Sequence, residues 1–259
     1  MRSKRSNDFS RQFLVPTYNL SPSKVTKFLL LIIFFLIFFN LGERVIVYWL
    51  NANYDNQFIS HYFNFDQESN FPSLYSALTL GFCSYLLALI AVFKKSSQAI
   101  YAKHWKALSW IFLFLAIDEA CSIHELSIPI LRNAINAKGI FYFTWVIPGF
   151  FLVVLFLITF RKFIQSLPMK IKIIFISAGA IYVTGALGME LVGGYLADSS
   201  GYNTVYGIAT TLEELLEMFG IVIFIHGLLT YIQSQLTELH FSLSFHRPKK
   251  KNIQTPKYK

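Results

Sequence analysis

Long apolar runs separated by short polar connections set the pattern of this chain, at residues 25–50, 73–93, 105–127, 140–160, 171–196 and 204–232. About 20 mostly apolar residues in a helix cross a hydrocarbon core about 30 Å thick. Each run reaches that length. The pattern predicts an all-α polytopic membrane helix bundle of six transmembrane helices across residues 25–232, with polar tails at 1–24 and 233–259.

Smaller signals punctuate the runs. Asn70-Phe71-Pro72-Ser73 suits the start of the second span, with a capping side chain and Pro in the first turn. Pro148-Gly149 in the fourth predicts a kink, because Pro removes a backbone donor and crowds the preceding turn. In the fifth, Ala180, Thr184 and Gly188 recur every four residues and predict a shallow stripe for close helix approach. The connection 51–72 carries Asp55, Asp66 and Glu68 among Tyr54, Phe58, Tyr62, Phe63 and Phe65, and is expected to lie at the membrane interface.

Composition agrees: 54% of residues are hydrophobic, 14% are charged, and Phe alone supplies 27. The net charge of +9 suggests nucleic acid until its placement is considered. Lys and Arg gather in the N-terminal tail, at Lys94, Lys95, Lys103 and Lys106, at Arg161, Lys162, Lys170 and Lys172, and in the C-terminal tail. The alternate connections hold only Arg132 and Lys138. This alternation predicts that both termini are cytoplasmic. The basic tails then meet anionic lipid headgroups, and no nucleic-acid partner is expected. No cleavable leader is evident, so the first span is expected to remain as an anchor. Cys83 and Cys121 fall within the apolar runs and imply no disulfide.

Against this background the acidic residues stand out. Glu43, Asp118, Glu119, Glu125, Glu190, Glu213, Glu214 and Glu217 are eight of the fourteen carboxylates, and all fall inside apolar runs. An ionised group at bilayer depth costs about 2.5–3.5 kcal/mol on insertion scales. At about 100° per residue, Asp118 and Glu125 differ by only about 20°. One helix face of the third span is therefore expected to show Asp118, Cys121, Ser122 and Glu125, with Glu119 and His124 flanking it. Glu213 and Glu217 are an i,i+4 pair, with Glu214 turned aside. By depth these groups and Glu190 share the outer half of the membrane. They are expected to line one outward-opening polar cavity, with Arg44 and His124 as cationic partners.

Carboxylates with one imidazole suit a divalent cation, which is the leading expectation. The Glu-x-x-His spacing of di-iron bundles is absent, however. A proton- or cation-coupled transporter or channel is the first alternative. A metal-dependent intramembrane enzyme is the second; the chain lacks both a nucleophile-elbow motif and the histidine set of a ceramidase-type zinc site. Protonated carboxyls bridging helices as plain structure are the third.

The stretches Ser69-Asn70-Phe71-Pro72-Ser73-Leu74-Tyr75-Ser76, Asp118-Glu119 with His124-Glu125, Trp145-Val146-Ile147-Pro148-Gly149, Gly185-Ala186-Leu187-Gly188-Met189-Glu190 and Glu213-Glu214-Leu215-Leu216-Glu217-Met218 carry a resemblance. Over about residues 28–232 the chain resembles a family of uncharacterised bacterial multi-pass integral membrane proteins. The resemblance implies a bacterial cytoplasmic membrane location, and no activity, cofactor or partner.

Overall fold

The computed structural model describes residues 21–49 and 61–235. The expectations for tail residues 1–20 and 236–259, and for Tyr54, Asp55 and Phe58, concern residues outside these, whereas residues 22–24 and 233–235, expected in the tails, are helical. Among the described residues all regular structure is helical: α1 (Pro22–Trp49), α2 (Phe71–Ser96), α3 (Ala102–Cys121), α4 (Ile123–Ile135), α5 (Val146–Ser166), α6 (Met169–Val183), α7 (Glu190–Ser200) and α8 (Thr204–Gln235). A short 3-10 turn, Gly139–Phe141, precedes α5, and a π-helical turn, Thr184–Met189, joins α6 to α7.

Among the described residues, five helical stretches are long and apolar enough to cross a membrane: Pro22–Val45 of α1, all of α2, all of α5, the α6–α7 unit (Met169–Ser200) and α8. Phe28, Phe34 and Phe38 on α1, and Phe150, Phe151, Leu155 and Ile158 on α5, are exposed apolar surface. The molecule is a helical bundle with the character of a multi-pass membrane protein. Helix α3 is 20 residues long, but Lys103, Lys106, Asp118 and Glu119 make it too charged to join the five on composition alone.

The helices run up and down between two ends, called here the tail end (the start of α1, the end of α8) and the far end. Helix α8 packs against α1, α2, α6, α7 and the π turn. Toward the tail end it buries Met218, Ile221, Val222, Ile225, Leu228, Leu229 and Tyr231. Glycines set its crossing with α6. A Cβ on Gly220 would lie 2.8 Å from the Tyr182 backbone nitrogen, and one on Gly227 would lie 2.8 Å from Ile174 Cγ2. In lipid, helices associate through such close van der Waals packing, since the surrounding chains are as apolar as Leu. The expected stripe does not make this contact: Ala180 and Thr184 are exposed. The approaching face of the α6–α7 unit instead carries Ala178, Tyr182 and Gly185.

The expected cap of α2 is present. The Asn70 side chain accepts from the Ser73 N–H, and the Ser73 hydroxyl accepts from the Asn70 N–H, with Pro72 in the first turn. Nothing requires the expected kink at Pro148. Helix α5 starts at Val146 rather than near 140, so Pro148 is its third residue. A first-turn N–H has no intrahelical acceptor, and Pro loses nothing there. The third span also differs from expectation: its helix stops at Cys121, where Ser122 takes a left-handed conformation (φ 50, ψ 41), and α4 leaves in a new direction.

Candidate functional site

The far end is built around the α3–α4 corner. A left-handed non-glycine residue is uncommon, and something must hold it. Asp118 does so. Its Oδ1 accepts from the His124 backbone N–H at 2.9 Å, capping the first turn of α4, and its Oδ2 lies 2.9 Å from His124 Nδ1. The expected single face of Asp118, Cys121, Ser122 and Glu125 is therefore not present. The corner breaks the helical register, Asp118 pairs with His124 rather than aligning with Glu125, and Cys121 is exposed. The Trp145 ring packs on His124 with centroids 4.8 Å apart.

A segment without regular structure then adds a residue absent from the sequence-level candidates. Residues 64–70 fold back across the far end. Phe65 is buried, and the preceding Phe63 stacks on Phe39 of α1 at 4.6 Å. The Asn40 amide donates to the Phe63 carbonyl. The Asn70 amide donates to the Asn64 and Gln67 carbonyls, both at 2.6 Å. With Ser69 left-handed (φ 59), this fold delivers Glu68 to the corner. One ligating atom each from Glu68, His124 and Glu125 lie within 4.8 Å of one another. The Ser122 hydroxyl lies beside the Glu68 carboxyl, whose Oε2 is shielded from solvent and has no hydrogen-bond partner. Burial pushes the Glu68 carboxyl up to about 7; the nearby Glu125 charge adds to this, and His124 opposes it.

A second group lies beneath. Glu119 of α3 interacts electrostatically with Glu214 and Glu217 of α8, and the Tyr182 hydroxyl lies beside Glu217. Gly185, in the π turn, makes room: a Cβ there would lie 2.8 Å from the Glu213 carbonyl oxygen and 2.9 Å from Glu217 Cγ. π turns concentrate at functional sites. Beyond the turn, Glu190 accepts from Trp145 Nε1 at 2.8 Å and lies beside Glu213.

Arg44 stands apart from His124. Its guanidinium lies over Gly207 with no room for a Cβ, its Nη2 is 3.4 Å from Thr210 Oγ1, and its charge acts on Asp66, beside which the Tyr206 hydroxyl lies. Of the sequence-level candidates, the structure brings His124, Glu125 and Asp118 together, groups Glu119, Glu214 and Glu217 beneath them, and pairs Glu190 with Glu213. The sequence reading missed Glu68, Asp66, Tyr182, and Trp145 as a donor. The signal for Glu68 was weak: an Asp-x-Glu beside a helix cap, in a connection that reads as interfacial.

No curated protein and no solved structure matches the chain. A family match spans residues 28–232, which is most of the chain and takes in every side chain described above. The chain belongs to the family described as a domain of unknown function, DUF8692.

Proposed function

We propose that this is a six-span membrane protein with both termini in the cytoplasm, and that it binds a divalent cation at the α3–α4 corner, in the outer half of the membrane. Support for the sixth span comes from packing. Helix α3 lies along α2, where the Ser84 and Ser109 hydroxyls each donate to the other's carbonyl. It therefore shares the depth of an apolar helix. Support for orientation comes from Lys94, Lys95, Arg161, Lys162, Lys170 and Lys172 at the tail end.

The observation that carries the cation reading is the Asp118–His124 pair beside Glu125 and Glu68. A metal-ligating imidazole commonly donates its other ring N–H to a carboxylate, which fixes its tautomer and raises its basicity. With Nδ1 engaged by Asp118, Nε2 is the nitrogen left to bind. Carboxylates and one imidazole form a donor set suited to a divalent cation. Elemental analysis of purified protein loaded with Mn2+ or Zn2+ and freed of excess tests this, with His124→Ala as control. Bound metal in the wild type and its loss in the variant are expected.

A second reading, cation- or proton-coupled transport, is favoured by the Glu119, Glu214 and Glu217 group directly below the corner. Cation-driven proton flux into proteoliposomes, abolished by Glu217→Gln, supports it. Absence of flux with stoichiometric metal leaves a holding or catalytic role.

A further inference from the structure

Three donors from two separate parts of the chain converge at the corner: Glu68 from the 64–70 segment, and His124 and Glu125 from the start of α4. We infer that the ion held here is a first-row transition dication bound by Glu68, His124 and Glu125, with its remaining positions open to water, and that through Glu68 the ion ties the 64–70 segment to the bundle. This rests on the cation reading above and names the ion class, the third ligand and the consequence.

The ion class follows from the donors. Ca2+ takes six to eight oxygens, and Mg2+ takes oxygens in a strict octahedron, typically with several waters. An imidazole held in one tautomer by Asp118 is a poor match to either, and suits Zn2+, Mn2+, Fe2+ or Co2+. Three protein ligands fall short of a closed tetrahedral structural site, so positions remain for water or an exchanging ligand. Metal–ligand bonds of about 2.0–2.2 Å place donors at most about 4.4 Å apart. The observed limit of 4.8 Å thus closes with small side-chain movements. Glu125, which is exposed, has room for them.

Glu68 is the independent pointer. Its Oε2 is shut off from solvent and unmatched by any donor. Buried polar atoms in folded proteins nearly always have a partner. No Lys or Arg forms an ion pair with Glu68 or Glu125 among the described residues. Arg132 is directed elsewhere, over the Tyr142 ring at 3.6 Å with its Nε on the Tyr142 carbonyl. A cation between Glu68, Glu125 and His124 supplies what the shielded oxygen lacks.

The clamp follows from where Glu68 sits. The segment is tied at its two ends, by Phe63 on Phe39 and by the Asn70 cap. Between them, Glu68 reaches the α3–α4 corner.

The test uses the full-length protein in nanodiscs, titrated with Co2+, Zn2+, Ca2+ and Mg2+, with hydrogen exchange followed over residues 61–70. The variants are Glu68→Gln, Glu68→Asp and His124→Ala, each checked for monodispersity. Wild type is expected to take up one Co2+ with d–d absorption and to bind Ca2+ and Mg2+ at least 100-fold more weakly. Exchange over the segment should slow when Co2+ is bound. Glu68→Gln should bind Co2+ at least 10-fold more weakly and lose the slowing, and Glu68→Asp should retain part of both. Should Glu68→Gln fail to fold, the metal-dependent slowing in wild type decides alone. Co2+ binding that ignores Glu68→Gln, or segment exchange unchanged by metal, overturns the inference and leaves the cation reading standing. Ca2+ binding as tight as Co2+ overturns the ion class. No binding of any cation overturns the underlying reading and the inference with it.

Discussion

The two halves of the bundle are built on different terms. Along α8 the change falls between Glu217 and Met218: Glu213, Glu214 and Glu217 lie on one side, and Met218, Ile221, Val222, Ile225 and Leu228 on the other. Helix α1 changes between Leu36 and Asn40, and α3 between Ala116 and Asp118. Toward the tail end the helices are uninterrupted and meet through rings: Trp105 against Phe163 and Tyr231, and Phe175 against Phe224. Toward the far end the backbone leaves α geometry at Ser122 and at Thr184–Met189, beside the carboxylates. Departures from local regularity gather where a protein does its work. The tail half is therefore read as scaffold and the far half as site.

That division can be broken by mutation. Trp105→Ala, in the tail half, should cost about 3–5 kcal/mol of stability, as deletion of a fully buried aromatic does, while the folded fraction keeps its cation affinity. Paired thermal denaturation and metal binding measure this; a loss of affinity equal to the loss of stability would merge the halves. Gly220→Ala places a Cβ against the α6 backbone and should cost about 1–3 kcal/mol, again sparing the site.

In the far half the order reverses. Asp118→Asn keeps the size of the side chain and a cap for α4 but weakens the hold on His124, so cation affinity should fall about 10–100-fold with little loss of folding. Equal collapse of both would assign Asp118 to the scaffold. The smallest effect concerns pH. Glu68 has an ordinary value of 4.5 and a folded value of about 7. Its acid form is favoured by the fold, so its contribution to stability is complete below 4.5 and is lost as pH rises through 7. In metal-free protein, Glu68→Gln should flatten that part of the melting-temperature profile. An unchanged profile would place Glu68 in water.

Much of the scaffold was legible because it rests on patterns local to the chain. Apolar runs marked the five composition-defined spans, and Asn70, Pro72 and Ser73 marked the start of α2. The corner was not legible. Asp118 through Glu125 contains neither Gly nor Pro, and its spacing fits a continuous helix. The break depends on an Asp118 side chain reaching six residues ahead to cap α4. Glu68 was hidden for another reason: it meets His124 across 56 positions of sequence, through a fold of the 64–70 segment that local propensity does not specify. The π turn was masked by a small-residue repeat whose actual contact is Gly185, between the expected positions.

A cation held in the far half, and none in the tail half, has a simple signature. Metal content of full-length protein in nanodiscs, loaded with Zn2+ and washed, reveals it when wild type is set beside His124→Ala. One equivalent per chain in wild type, absent from the variant, is the predicted result. No retained metal in wild type, or equal metal in both, would show that the α3–α4 corner holds no cation.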